Sequence, residues 1–212
     1  MESKATEIRQ GSIFYPAELH ELFKVSPSRL WCIGEPGILN GRLLGIIASR
    51  KVESDLAVKS TELLKQVASL DGTFISGWHS PLEEAALGIL LARPARIVFC
   101  LAKSLDEFNP SAKIKELLNQ KRALLLTHCS PNANRISRGA SLRRNQLVVG
   151  FAKVVLVLSA PEGSASFKLA RRVLNRGRPV VSPEHHMNES LLASGALPAT
   201  IENIQRTFSG ID

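Results

Sequence analysis

Cysteine, aromatic residues and long apolar runs are all scarce in this chain of 212 residues. Its three cysteines, Cys32, Cys100 and Cys129, lie far apart without a Cys-x-x-Cys pair, which argues against a disulfide framework or a structural zinc site. The most apolar stretch, 147–161, is interrupted by Lys153 and is shorter than the roughly 20 residues that a spanning helix needs. The first residues also lack the basic-then-apolar pattern of a signal peptide. These absences predict a cytoplasmic protein that does not enter a membrane.

The composition is that of an ordinary globular chain. Hydrophobic residues make up 44% of the sequence and charged residues 22%. A chain of this length buries enough apolar surface to fold as one domain, with or without a short appendage, and needs no metal or disulfide to do so. Disordered and collagen-like classes are therefore excluded.

The positive charge is concentrated in one segment. Residues 134–178 contain ten basic residues and one acid, a net charge of +9, whereas the rest of the chain has 17 basic residues against 18 acids. The ten are Arg135, Arg138, Arg143, Arg144, Lys153, Lys168, Arg171, Arg172, Arg176 and Arg178. A block of this kind is an electrostatic footprint for phosphate groups. For Arg171, Arg172 and Arg176, a solvated helix face is the alternative interpretation.

Short apolar runs alternate with stretches of helical periodicity. The predicted strands are 44–48, 73–76, 96–101, 123–127, 154–158 and 179–182. The predicted helices are 53–70, 81–92, 111–120, 139–150, 164–176 and 188–193. This alternation predicts a doubly wound, mostly parallel α/β sheet with helices on both faces. Residues 1–40 are predicted to form a short, mostly helical N-terminal appendage, and residues 41–212 the main domain.

Two serines have the spacing of helix N-caps. Ser80 is followed by Pro81 and then by Glu83 three residues on, and Ser104 precedes Glu107 at the same distance. Both patterns predict the start of a helix. Because the capping box explains Glu83, it is not predicted to be a general base.

Polar and small residues follow the predicted strands, where ligands bind in open parallel sheets. They include Ser49-Arg50, Ser76-Gly77 and Gly163-Ser164. The sequence contains neither Gly-x-Gly-x-x-Gly nor a Walker A motif, so no dinucleotide cofactor is predicted. The pattern indicates phosphate binding of another kind.

Several short motifs follow one another over residues 14–204. Tyr15-Pro16 comes first, and Ala48-Ser49-Arg50, Ser76-Gly77, Arg144-Asn145, Gly163-Ser164 and Gly177-Arg178-Pro179 follow. Their order and spacing resemble the DNA-processing protein A family (DprA, also called Smf), which has a Rossmann-like domain. Glu83 and Leu87 depart from the family, since an aspartate and a histidine are usual at their positions.

The resemblance implies a single-stranded DNA-binding protein that hands DNA to the RecA recombinase during DNA uptake, natural transformation and recombination. It also implies a homodimer, no enzymatic step and no cofactor. The positions that carry over are Ser49, Arg50, Ser76, Gly77, Arg144, Asn145, Gly163 and Ser164. To these we add three residues as candidate contacts with DNA: Trp78, Arg143 and Arg171.

Several of these residues have a second interpretation. Trp78 either stacks on a base or belongs to the core, and Asn145 either contacts phosphate or supports its loop. His79 is predicted to form loop hydrogen bonds. His185 and His186 lie in a loop without acidic or cysteine partners at metal-ligand spacing, so they are predicted to be surface residues.

Two other functions stay open. The same superfamily includes the LOG phosphoribohydrolases, which cleave nucleoside monophosphates and carry a Pro-Gly-Gly-x-Gly-Thr-x-x-Glu motif. Here Phe167 and Lys168 stand near the position of that glutamate, which disfavours such an enzyme. A domain that senses a nucleotide ligand is the other alternative.

Overall fold

The computed structural model describes residues 5–131, 133 and 137–209, and within these residues nine strands form one sheet. The strands are β1 (Thr6–Arg9), β2 (Arg29–Gly34), β3 (Leu43–Ala48), β4 (Thr73–Ser76), β5 (Arg96–Leu101), β6 (Ala123–Thr127), β7 (Val154–Ser159), β8 (Val180–Ser182) and β9 (Leu197–Pro198). The α-helices are α1 (Glu18–Leu22), α2 (Ser54–Val67), α3 (Pro81–Leu91), α4 (Ala112–Asn119), α5 (Arg138–Phe151), α6 (Ala165–Leu174), α7 (Glu189–Ala193) and α8 (Ile201–Ser209). Short 3-10 helices cover Pro36–Asn40 and His186–Asn188.

The strand order across the sheet is β1-β2-β6-β5-β4-β3-β7-β8-β9. Strands β3 to β9 pair in parallel, and β1 and β2 pair antiparallel at one edge. The chain runs outward from β3 to β6 on one side and then returns to β7 on the other side of β3. The order therefore reverses between β3 and β7, and parallel sheets bind ligands at this kind of switch point.

Helices cover both faces of the sheet. One hydrophobic core lies between the sheet and α1, α5, α6 and α7, and the other between the sheet and α2, α3, α4 and α8. Side chains of adjacent strand residues point to opposite faces, so Ile46 and Ile47 of β3 belong to different cores. The predicted doubly wound, mostly parallel sheet is confirmed. No helix in the described ranges is long and apolar enough to cross a membrane.

The first forty residues differ from the mostly helical appendage predicted. They contain the five-residue helix α1 and one 3-10 helix, but also β1 and β2, which extend the main sheet. Leu30 and Cys32 of β2 are fully buried in the core that also contains Leu19 and Leu22 of α1, and β2 pairs with β6. The sheet thus continues across residue 40, and a domain boundary there stays a prediction.

The two predicted helix starts have different outcomes. Ser80 forms the expected capping box, in which its hydroxyl accepts a hydrogen bond from the Glu83 amide while the Glu83 carboxylate accepts one from the Ser80 amide. No helix follows Ser104, and residues 105–107 form a bend and a turn. The next helix, α4, begins at Ala112, eight residues after Ser104, and is capped by Ser111 instead.

Candidate functional site

A cleft of about 570 Å³ opens at the carboxyl end of β3, between the N-termini of α3, α5 and α6. Its polar lining includes Ser49, Arg50, Ser137, Arg138, Arg144 and Asn145. All three helices begin with a serine cap: Ser80 accepts from the Glu83 amide, Ser137 from the Ala140 amide and Ser164 from the Phe167 amide. Backbone N–H groups at such helix starts attract anions. The cleft therefore combines arginines with helix N-termini, an arrangement suited to phosphate.

Arg144 forms the floor of the cleft. Its side chain extends from α5, only 6% of the residue is exposed, and Nε donates a hydrogen bond of 3.0 Å to Oδ1 of Asn145. The guanidinium lies directly against Gly77, where an added Cβ would come within 2.5 Å of Arg144 Nε. A side chain at position 77 would displace the guanidinium, so Gly77 leaves the space that Arg144 occupies.

Glu83 is the one acid among the described residues that line the cleft, and it is 3% exposed. One carboxylate oxygen accepts from the Ala48 amide at 3.0 Å, and the other from the His79 amide at 2.9 Å and the Ser80 amide at 3.4 Å. Burial raises the pKa of this carboxyl, while these amides and nearby Arg144 oppose the rise. Glu83 therefore ties the ends of β3 and β4 to α3, and both of its oxygens are already engaged.

The electrostatic field of the cleft is positive. Burial lowers the pKa of His79, and the charges of Arg144 and Arg50 lower it further. The pKa of Arg144 is itself lowered, chiefly by burial. The same arginine charges that disfavour a proton on His79 favour an anion in the cleft.

His128 makes stability depend on pH. Burial, together with the charges of Arg143 and Arg144, lowers its pKa to about 4. The histidine of an unfolded chain titrates near 6.5, so between pH 6.5 and 4 the unfolded state binds a proton that the folded state does not. The contribution of His128 to the free energy of unfolding is therefore complete above pH 6.5 and is lost as the pH falls from 6.5 to 4.

We expect the free energy of unfolding to fall by about 2–3 kcal/mol more in the wild type than in His128→Gln between pH 6.5 and 4. Urea denaturation at several pH values measures the difference. Parallel pH profiles for the two proteins would contradict the assignment, because all other titrating groups are common to both.

The structure brings together four of the predicted site residues. Ser49 and Arg50 lie at the end of β3, and Arg144 and Asn145 reach the same cleft from α5. The Ser49 amide donates to the Ser159 carbonyl at 2.7 Å, which holds this loop across the switch point to β7. Asn145 both supports Arg144 and lines the cleft, so its two interpretations are compatible.

Other predicted residues border the cleft without lining it. Ser76 is fully buried, and its hydroxyl oxygen accepts from the Trp78 amide at 3.3 Å. Gly163 has a left-handed φ of +76°, which turns the chain into α6, and Ser164 caps that helix. Their neighbours Ala165 and Ser166 line the cleft instead.

The predicted stacking role of Trp78 is not supported by its position. Trp78 is 7% exposed, belongs to the core beneath α3, and packs against Phe99 with ring centroids 6.1 Å apart. Its Nε1 donates to the Val98 carbonyl at 3.1 Å. A positive φ of 51° turns the side chain inward, so the ring faces Phe99 instead of the cleft.

Arg143 and Arg171 are exposed residues outside the cleft lining. Arg143 is next to Arg144 on α5 but does not line the cleft, and Arg171 lies over the ring of Phe167 on α6 at 5.6 Å. Arg172 lies over Phe23 in the same way, at 5.4 Å. These contacts favour the interpretation of a solvated helix face for Arg171 and Arg172. Arg135, also in the basic segment, lies outside the described residues.

Sequence reasoning left out several residues that line the cleft. They are Ser80, Ser137, Arg138, Ser141, Leu142 and Ser166. Arg138 belongs to the basic segment, and its position at the start of a helix could have identified it as a cleft residue. Leu142 has no such signal, because an apolar residue that is 46% exposed cannot be distinguished in sequence from one in the core.

Together the fold and the cleft define a doubly wound α/β protein with an arginine-lined cleft at its switch point. A family model, the DNA recombination-mediator protein A family, matches residues 8–204, and the chain belongs to that family. The predicted resemblance to the DprA/Smf family is thereby confirmed. A comparison with curated proteins finds no match.

Solved structures share the Rossmann-like fold. DprA from Streptococcus pneumoniae is 23% identical with a TM-score of 0.78, over 95% of this chain and 73% of that protein. DprA from Helicobacter pylori is 21% identical with a TM-score of 0.74, over 99% and 96%, and is described as having a unique single-stranded DNA binding mode. A molybdenum cofactor binding protein from Rippkaea orientalis is 16% identical with a TM-score of 0.55, over 80% and 96%.

Proposed function

We propose that this member of a DNA-processing family binds single-stranded DNA in the cleft at the end of β3. The observation that carries the proposal is the placement of three arginines, Arg50, Arg138 and Arg144, around one cleft. The one described acid in the lining, Glu83, already accepts three backbone hydrogen bonds. The site thus offers phosphate oxygens several donors and no free carboxylate to repel them.

A flexible single strand suits this cleft better than a duplex. Arg144 is recessed, with 6% of its surface exposed, whereas Arg50 and Arg138 lie at the rim. A single strand bends at each nucleotide, so one phosphate reaches the recessed guanidinium while its neighbours contact the rim. The backbone of a stiff duplex reaches only the rim. With Trp78 in the core, binding is mainly electrostatic and depends little on base sequence.

Membership in the family supports the finer parts of the proposal. We infer that the protein hands single-stranded DNA to RecA during DNA uptake, natural transformation and recombination, that it works as a homodimer in the cytoplasm, and that it catalyses no bond-making step. The engaged carboxylate of Glu83 supports the last point. The glutamate that is central to the LOG phosphoribohydrolases also has no counterpart here, where Phe167 and Lys168 stand near its position.

A nucleotide ligand is the second candidate for the same cleft. The volume of about 570 Å³ lies in the range of small-molecule sites, roughly 300–1,000 Å³. In such a complex one phosphate would pair with Arg144 and the sugar would pack against Leu142. The two candidates differ in how many phosphates contribute to the affinity.

A competition experiment with two charge-reversed variants tests the proposal. Arg138 lines the cleft and Arg176 does not, although both are exposed members of the basic segment. We expect Arg138→Glu to weaken binding of a fluorescent oligo-dT by about ten-fold or more, and Arg176→Glu by less than about three-fold. Thymidine monophosphate in large excess should displace little of the oligonucleotide.

Equal losses in the two variants would assign binding to diffuse charge and reject the cleft. Displacement by the mononucleotide at concentrations near those of the oligonucleotide would instead favour the nucleotide-sensing function.

A further inference from the structure

Two histidines and two carboxylates meet at the surface, away from the cleft. His185 Nε2 lies 2.9 Å from Asp55 Oδ2, and His186 Nε2 lies 3.0 Å from Glu53 Oε2. The two imidazole centroids are 4.2 Å apart. No acidic residue stands at metal-ligand spacing in the sequence, but the fold brings two carboxylates to the histidine pair, and His186 is exposed as predicted. The two carboxylates follow β3, and the histidines follow β8 about 130 residues later. Because β3 and β8 pair in parallel with the two sides of β7, the ends of these strands lie close together.

We propose that this His–carboxylate cluster, formed by Glu53, Asp55, His185 and His186, binds a divalent transition-metal ion, with Zn²⁺ the best match. One donor atom from each of Glu53, His185 and His186 lies within 4.8 Å of the other two. Imidazole nitrogen and carboxylate oxygen are typical zinc ligands at about 2.0–2.2 Å, so ligands of one ion lie about 3–3.5 Å apart. The His186–Glu53 separation already falls in that range.

Asp55 does not bind the ion in this arrangement but orients His185. Histidines that bind metals usually hydrogen-bond a carboxylate through the other ring nitrogen, which fixes the ring and raises its basicity. Both ring nitrogens of His185 are engaged, Nε2 with Asp55 and Nδ1 with the Met187 amide at 3.2 Å. A bound ion must displace one of these contacts. The longer one, to Met187, is the weaker.

The carboxylates alone have a simpler explanation, which does not extend to the histidines. Glu53 and Asp55 lie at the N-terminus of α2, where the helix dipole stabilises negative charge. That effect needs no imidazole, yet two imidazoles from the loop after β8 each pair with a different carboxylate. A cation bound by these imidazoles and by Glu53 would link the loop after β8 to the start of α2.

Metal titrations of the full chain test the proposal. Zn²⁺ is measured by competition with a chromophoric chelator, and Co²⁺ by its absorption spectrum. We expect one site per chain, and we expect His186→Ala and Glu53→Gln each to weaken Zn²⁺ by about ten-fold or more. The matched controls His20→Ala and Glu184→Gln change exposed residues of the same types and should have no effect. Oligo-dT affinity should stay unchanged in all four, which separates this site from the cleft.

Thiol binding is the main competing explanation, because Cys129 is partly exposed beside His128. The cluster predicts a Co²⁺ spectrum without sulfur charge-transfer bands, and unchanged binding in Cys129→Ser. The proposal is overturned if wild-type protein binds no Zn²⁺ at concentrations up to about 1 mM, or if Cys129→Ser abolishes binding while His186→Ala preserves it.

Discussion

Arg144→Ala should weaken single-stranded DNA binding by about ten- to a hundred-fold, because a hydrogen bond to a charged group contributes about 1.5–3 kcal/mol. Arg144 is the recessed arginine of the cleft, oriented by Asn145 and packed on Gly77. Its removal takes away both the charge at the floor and the donors that a phosphate would use. Fluorescence anisotropy with labelled oligo-dT measures the loss.

Arg143→Ala is the matched control for that experiment. Arg143 is the preceding residue on α5, is exposed, and does not line the cleft, so we expect a change of less than about three-fold. Arg144→Lys keeps the charge without the planar guanidinium and should fall between the two. Equal losses for Arg143→Ala and Arg144→Ala would mean that α5 contributes only general charge.

Glu83→Ala should lower the free energy of unfolding by about 3–5 kcal/mol. The carboxylate accepts hydrogen bonds from the Ala48, His79 and Ser80 amides, and each buried amide left without a partner costs about 1–3 kcal/mol. Because these amides belong to the ends of β3 and β4, the variant also loosens the loop that carries Arg50. Urea denaturation followed by circular dichroism gives the stability change.

Glu84→Ala provides the comparison, since Glu84 is the next residue and is exposed in the same helical turn. It contributes only through the helix dipole, so the expected loss is under about 1 kcal/mol. If the two variants lose the same stability, the Glu83 hydrogen bonds do not hold the strand ends together.

The central strands could be predicted because each is a continuous apolar run buried on both faces. All six residues of β3 and of β7 are buried, so their pattern could not be confused with a half-exposed element. The N-terminal strands were missed for the opposite reason. Of the four residues in β1 only Ile8 is buried, and β2 alternates, as expected of strands at an antiparallel edge. The pairing of β2 with β6 is a long-range contact that local sequence does not encode.

The residues of the candidate site likewise fall into those with a local sequence signal and those placed by long-range contacts. Ser49, Arg50 and Arg144 could be assigned because strand ends and basic segments have local signatures. The inward turn of Trp78 depends on one backbone angle, and the contact of His186 with Glu53 depends on the order of three strands. The identical spacing at Ser80 and Ser104 leads to a helix only in the first case. Pro81 lies at the first position of α3, where proline is tolerated, whereas Pro110 would fall inside a helix that began after Ser104.

The most direct test of the central claim is a titration of fluorescent oligo-dT and of the matching duplex at several salt concentrations. The cleft predicts tighter binding of the single strand. It also predicts a slope of about −2 to −4 for log affinity against log salt, which corresponds to roughly three to six neutralised phosphates. Preference for the duplex, or no binding of oligo-dT even at low salt, would contradict the account.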